Sequence, residues 1–98
     1  MPASVKAPLA IEHVLYAISD VTRWKVLSEL SKGEPVMVTE LAKKFGCSVP
    51  SMSKHLGALK SVGIVRPWRG RLYTLADAFR PVPGKREIDF GHCLLRFE

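Results

Sequence analysis

Residues 39–65, TELAKKFGCSVPSMSKHLGALKSVGIV, hold two helix patterns separated by only a few residues. Thr39 is placed to cap the first, ELAKKF, which Gly46 closes. Phe45-Gly46-Cys47 then leads into Ser48, placed to cap the second. Pro50 falls in the first turn of that second helix, where its missing N–H costs no internal bond, and Gly63 ends it. Two helices joined by a short glycine-containing turn make a helix-turn-helix, whose second helix lies in a DNA major groove.

The composition of the second helix supports that use. At 100° per residue, Val49, Met52, Leu56 and Leu59 fall in one sector. The opposite sector holds Pro50, Ser51, Lys54, Gly57, Ala58 and Ser61, with Ser53 and His55 at its flanks. Gly57 costs a solvated helix about 1 kcal/mol against alanine. A helix that enters a groove gains from it, because small residues let the backbone approach closely. Hydroxyls serve phosphates and base edges alike. No acid is present to repel phosphate. His55 is open to two roles, a packed and hydrogen-bonded ring beside Leu56 or a direct phosphate contact.

Working outward, LAIEHVLYAIS from Leu9 places Ile11, Val14, Leu15 and Ile18 at helical spacing. Asp20 is placed to cap VTRWKVLSELSK, whose apolar stripe reads Val21, Trp24, Leu27 and Leu30 and which Gly33 ends. EPVMV is a short β-leaning stretch. Beyond Gly63 the period changes: IVRPW and RLYTL flank Arg69-Gly70 as a hairpin, with Pro67 marking an edge strand. Arg66, Arg69 and Arg71 crowd this hairpin, with Trp68 among them read as packing under it. Basic side chains at such a turn, beside a recognition helix, reach phosphates or the minor groove as a wing. REIDFGHCLLRF reads as one last strand, bulged at Gly91 and apolar on both sides. Such a strand is covered either by the chain's own first helix or by the same element of a second copy.

The totals bound the answer. Ninety-eight residues at 47% apolar and 24% charged make one domain with a modest core. Residues 1–7 read as a loose arm and residues 8–98 as the domain. No apolar run is long enough to span a bilayer and the start lacks a signal-peptide core, which points to the cytoplasm. Cys47 and Cys93 are too few and too far apart for a disulfide framework and read as free thiols. The net charge is +6 and it is unevenly spread: residues 48–86 hold eight basic side chains against Asp77 alone. That is the footprint of a nucleic-acid-binding segment. No Gly-rich phosphate loop or G-x-S-x-G occurs, and His13, His55 and His92 are not spaced as a catalytic set, so no enzyme is expected.

From about Ile18 to Leu75 the chain resembles the ArsR/SmtB family of bacterial winged helix-turn-helix repressors. ISDVTRWKVLSEL is similar to the family's Asp-Pro-Thr-Arg opening of its second helix. VTELAKKFGCSVPSMSKHLGALKSVGIV is similar to its helix-turn-helix signature, including Ser53, His55-Leu56, Leu59 and Gly63-Ile64-Val65. The resemblance implies a homodimeric repressor on an inverted-repeat operator, dimerised through the first helix and C-terminal elements. Metal-sensing members carry a Cys-Val-Cys type pair at the start of the third helix, where this chain has Val36 and Val38. The family's second metal site draws Asp, His and Glu from a C-terminal helix. Here only Asp89, His92 and Glu98 are within reach, a poor zinc or nickel set. Neither metal nor cofactor is expected.

The expected fold is mainly α with a small β part, four helices with a β-hairpin wing and a C-terminal strand. The expected DNA-contacting residues are Thr39, Ser48, Pro50, Ser51, Ser53, Lys54, His55, Lys60, Arg66, Arg69 and Arg71. The expected dimer interface draws on Leu9, Ile11, Val14, Leu15, Ile18, Phe90, Leu94 and Leu95. The rival reading is a winged-helix module for protein association. The Arg-rich hairpin and acid-free helix oppose it, since an association surface exposes larger apolar anchors.

Overall fold

The computed structural model describes residues 10–91 and 93–97. Leu9, the arm over residues 1–7, His92 and Glu98 lie outside the described residues. The chain runs α1 (Ile11–Ile18), α2 (Val21–Leu30), β1 (Val36–Met37), α3 (Val38–Lys44), α4 (Val49–Ser61), β2 (Val65–Pro67) and β3 (Leu72–Leu75). A single 3-10 turn (Asp77–Phe79) follows, then β4 (Glu87–Asp89) and β5 (Leu94–Arg96). This is a winged helix-turn-helix of the α+β class. Leu27, Leu30, Leu41, Met52, Leu56, Leu59 and Ile64 form the centre of the core between the helices, closed by Leu75, Ile88 and Phe90.

Asp20 caps α2 as its sequence position implies, its carboxylate accepting from the Arg23 N–H at 2.9 Å. The stripe assigned to that helix is turned. Leu27 and Leu30 are buried, but Val26 joins them, while Val21 is exposed and Trp24 sits at the surface edge. Val21, Trp24, Leu27 and Leu30 are spaced strictly by three, and three steps of 100° fall 60° short of a full turn. A row at that spacing winds off the face, so it cannot all point inward.

Thr39 is not a cap. Met37 holds the N-cap position of α3 with no side-chain cap hydrogen bond, and Thr39 is exposed within the first turn. β1 runs straight into this helix, and the Val38 N–H donates to the Arg71 carbonyl at 3.2 Å. The wing backbone thus satisfies the first of the N–H groups that this helix end leaves without an intrahelical partner.

The wing forms a three-stranded antiparallel sheet in the order β1-β3-β2. Pro67 lies in β2, an edge strand, where its missing N–H leaves no ladder bond unmade. Gly70 takes the turn with φ 59°. Val65 pairs with Leu75, and both are buried on the core side.

The C-terminal stretch is a hairpin, not one bulged strand. Ile88 pairs with Leu95 and Asp89 with Leu94, and the Phe90 N–H donates to the Cys93 carbonyl at 2.9 Å. Gly91 has φ 91°, and its N–H donates to Asp89 Oδ1 at 2.8 Å. Gly91 reverses the chain instead of bulging a single strand. Folding back also serves the two apolar sides, since Phe90 packs at a tilt against Phe79, ring centres 5.3 Å apart, and Phe97 against Trp24 at 4.9 Å.

Candidate nucleic-acid interface

The turn between α3 and α4 is built by Gly46, at φ 68°, and by the Cys47 N–H donating to the Ala42 carbonyl at 3.0 Å. The chain then enters α4 through Ser48, whose hydroxyl accepts from the Ser51 N–H at 3.2 Å. Met52, Leu56 and Leu59 are wholly buried and fix the rotation of α4 against the core; Val49, expected with them, stays 38% exposed. The outward sector consequently carries Pro50, Ser53, Lys54, Gly57, Lys60 and Ser61 exposed, with Ser51, His55 and Ala58 half-buried. No acid lies on this helix.

The structure gathers eight of the eleven expected contact residues into three groups. Thr39, Ser53 and Arg71 line a depression of about 240 Å³ between α3, α4 and the wing. Ser51, Lys54 and His55 line a second of about 450 Å³, with Tyr16 and Arg23 on its far wall. Arg66 and Arg69 gather around Trp68, their guanidinium carbons 5.0 and 5.9 Å from the ring centre. Lys60 stands apart in the last turn of α4 and is exposed.

His55 leans on α2. Its Nδ1 lies 3.6 Å from the Asp20 carboxylate that caps that helix, and its side chain is 22% exposed. Asp20 is held below the ordinary carboxylate range by the Arg23 N–H donating to it, and the nearby His55 and Arg23 charges add to this against some desolvation. One aspartate thereby starts α2 and lies beside a ring of α4.

Arg23 joins the second group from α2, and Asp77 and Arg80 join Arg66 beside the wing, none of them among the expected contact residues. Arg23 donates to the Tyr16 carbonyl at 2.8 Å and the Ala17 carbonyl at 3.3 Å, closing the end of α1, and stacks over Tyr16 at 4.5 Å. Nothing in its spacing announced the second depression. Asp77 did carry a signal, as the lone acid among eight cations.

Of the expected interface residues, Val14 and Phe90 have no exposed surface and serve the chain's own core. Ile11, Leu15 and Leu94 are exposed at 42%, 57% and 47%. Ile18 and Leu95 are half-buried. Val36 and Val38, at the places of the family's metal-sensing pair, pack into or against the core. Among the described residues no group of three or more His, Cys, Asp or Glu could hold a metal ion, and no helix is long and apolar enough to cross a membrane.

A family of helix-turn-helix domains matches residues 18–67, from the end of α1 through β2. Transcriptional repressor SdpR of Bacillus subtilis is 39% identical over 59 residues, 60% of this chain and 64% of SdpR, so the chain spans just under two thirds of that repressor. Among solved structures, HlyU from Vibrio cholerae superposes with a TM-score of 0.62 at 26% identity, covering 68% of this chain and 75% of HlyU. An ArsR family transcriptional regulator superposes with a TM-score of 0.57 at 40% identity, covering 67% of this chain and 72% of that one. The chain belongs to the ArsR family of winged helix-turn-helix transcriptional regulators.

Proposed function

We propose that this protein is a homodimeric DNA-binding repressor that occupies an inverted-repeat operator and blocks its promoter sterically, in the cytoplasm and without sensing metal. The observation that carries the reading is the outward sector of α4. It is small, hydroxyl-bearing and free of acid, and its Ser53 shares one depression with Thr39 of α3 and Arg71 of the wing.

Two copies of α4 enter successive major grooves about 34 Å apart. Ser51, Ser53 and Lys54 face base edges and phosphates, Ser48 and Pro50 bring the helix N-terminus to the backbone, and Lys60, Arg66, Arg69 and Arg71 hold phosphates. His55 acts mainly from its place beside Asp20. The second copy joins through Ile11, Leu15 and Leu94, with Ile18 and Leu95 at the margin. Val36 and Val38 offer no lone pair to a metal, so occupancy follows protein concentration.

The test is binding to the protein's own upstream DNA and to random duplex across a salt series, with Lys54→Ala and Arg69→Ala alongside. Operator binding lowered by Lys54→Ala, and made less salt-dependent by Arg69→Ala, is expected. Equal weak binding to both duplexes, or none, overturns the reading in favour of a protein-association module.

A further inference from the structure

Resting on the DNA-binding reading above, we propose that Arg80 is a further phosphate-contacting residue of the wing, and that Asp77 is a positioning residue holding Arg66 and Arg80 together until phosphate takes its place.

Three guanidinium groups share one indole. Arg66, Arg80 and Arg69 place their central carbons 5.0, 5.6 and 5.9 Å from the Trp68 ring centre. Arg66 and Arg69 come from the wing itself. Arg80 follows directly on the 3-10 turn, where Phe79 is 6% exposed and packed at a tilt against Phe90, so the backbone carrying Arg80 is anchored in the core. Cations this close repel one another, and a ring face at an exposed site offsets only a small part of that for each.

The chain sets one carboxylate against them. Asp77 Oδ1 lies 3.4 Å from an Arg66 terminal nitrogen and 3.5 Å from an Arg80 terminal nitrogen, so a single oxygen serves both. Its side chain is 78% exposed, which makes these pairs weak and open to exchange. Arg66 is also incompletely served, since its Nε is buried without a hydrogen-bond partner among the described residues. Guanidinium forks that share one carboxylate oxygen gain by meeting a phosphate, whose several oxygens accept from both at once. Asp77 is the only acid in residues 48–86, in the midst of the wing cations rather than on α4. Its carboxylate gathers them in the free protein and yields to phosphate in the complex.

The test measures affinity for the upstream DNA and for random duplex against salt, using the full chain with Arg80→Ala, Arg80→Lys, Asp77→Asn and the exposed control Lys25→Ala on α2. Arg80→Ala is expected to weaken both duplexes about two- to fivefold, the range of an exposed charge pair. It should also flatten the slope of log affinity against log salt by about 0.9, the share of one phosphate contact. Arg80→Lys should keep the slope, Lys25→Ala should leave it unchanged, and Asp77→Asn should tighten both duplexes. A slope for Arg80→Ala equal to that of Lys25→Ala overturns the role of Arg80 while leaving the repressor reading intact. Weaker binding by Asp77→Asn overturns the release from Asp77. If the unaltered protein binds neither duplex, both readings fall.

Discussion

Arg86 ties the C-terminal hairpin to the helical core. It donates to the Ser28 carbonyl, to Ser28 Oγ at 3.0 Å and to Ser31 Oγ at 3.3 Å, at the end of α2. Ser31 is fully buried, so truncating the arginine removes a charge-assisted hydrogen bond to its hydroxyl away from water. Arg86→Ala should cost about 1–3 kcal/mol of stability in urea denaturation, and Arg86→Lys should recover only part, because an ammonium lacks the fork. Asp20 makes a different residue-level prediction. Its pKa lies below its ordinary value in the folded chain, so its contribution is present in full above that ordinary value and is lost as pH falls through the lowered one. Asn also caps helices but does not titrate. Denaturation at steps from about pH 5 to pH 2 should show a shallower acid loss for Asp20→Asn than for the unaltered chain.

Among the elements, α4 sets stability against function at Gly57. A Cβ there would meet nothing within 4 Å, and the residue sits mid-helix. Gly57→Ala should therefore raise stability by about 0.5–1 kcal/mol. If the outward sector seats in a groove, the same change should lower operator affinity; gains in both would mean that this face meets nothing. The elements also show what the sequence revealed. Caps and glycines located α2, the turn and α4, and the alternation around Arg69-Gly70 located the wing, because these signals are local. Thr39 misled because the group that satisfies the α3 N-terminus, the Arg71 carbonyl, is distant in sequence. The last hairpin was hidden because Gly91 suits a bulge and a reversal equally, and only packing against Trp24 and Phe79 selects between them. The outward sector of α4 was legible from periodicity. The pairing of Asp77 with Arg66 and Arg80 was not, since its partners are fixed by tertiary folding.

For the whole molecule, the surface apolar groups of α1 and β5 carry the dimer proposal. Leu15 is 57% exposed, so Leu15→Glu should leave the fold intact while sedimentation shows a monomer. Operator affinity should then fall about a hundredfold, as each half-site binds without the other. An unchanged dimer would place the interface elsewhere. The chain's two tryptophans also divide the molecule in a useful way. Trp24 rests on Phe97 and Trp68 lies among the wing arginines, so each reports a different region by its intrinsic emission. Trp24→Phe leaves a fluorophore that follows the wing as duplex is added, and Trp68→Phe leaves one that follows the seating of the C-terminal hairpin. With those two variants and no attached dye, a titration can time the arrival of nucleic acid separately from any rearrangement at the far end of the chain.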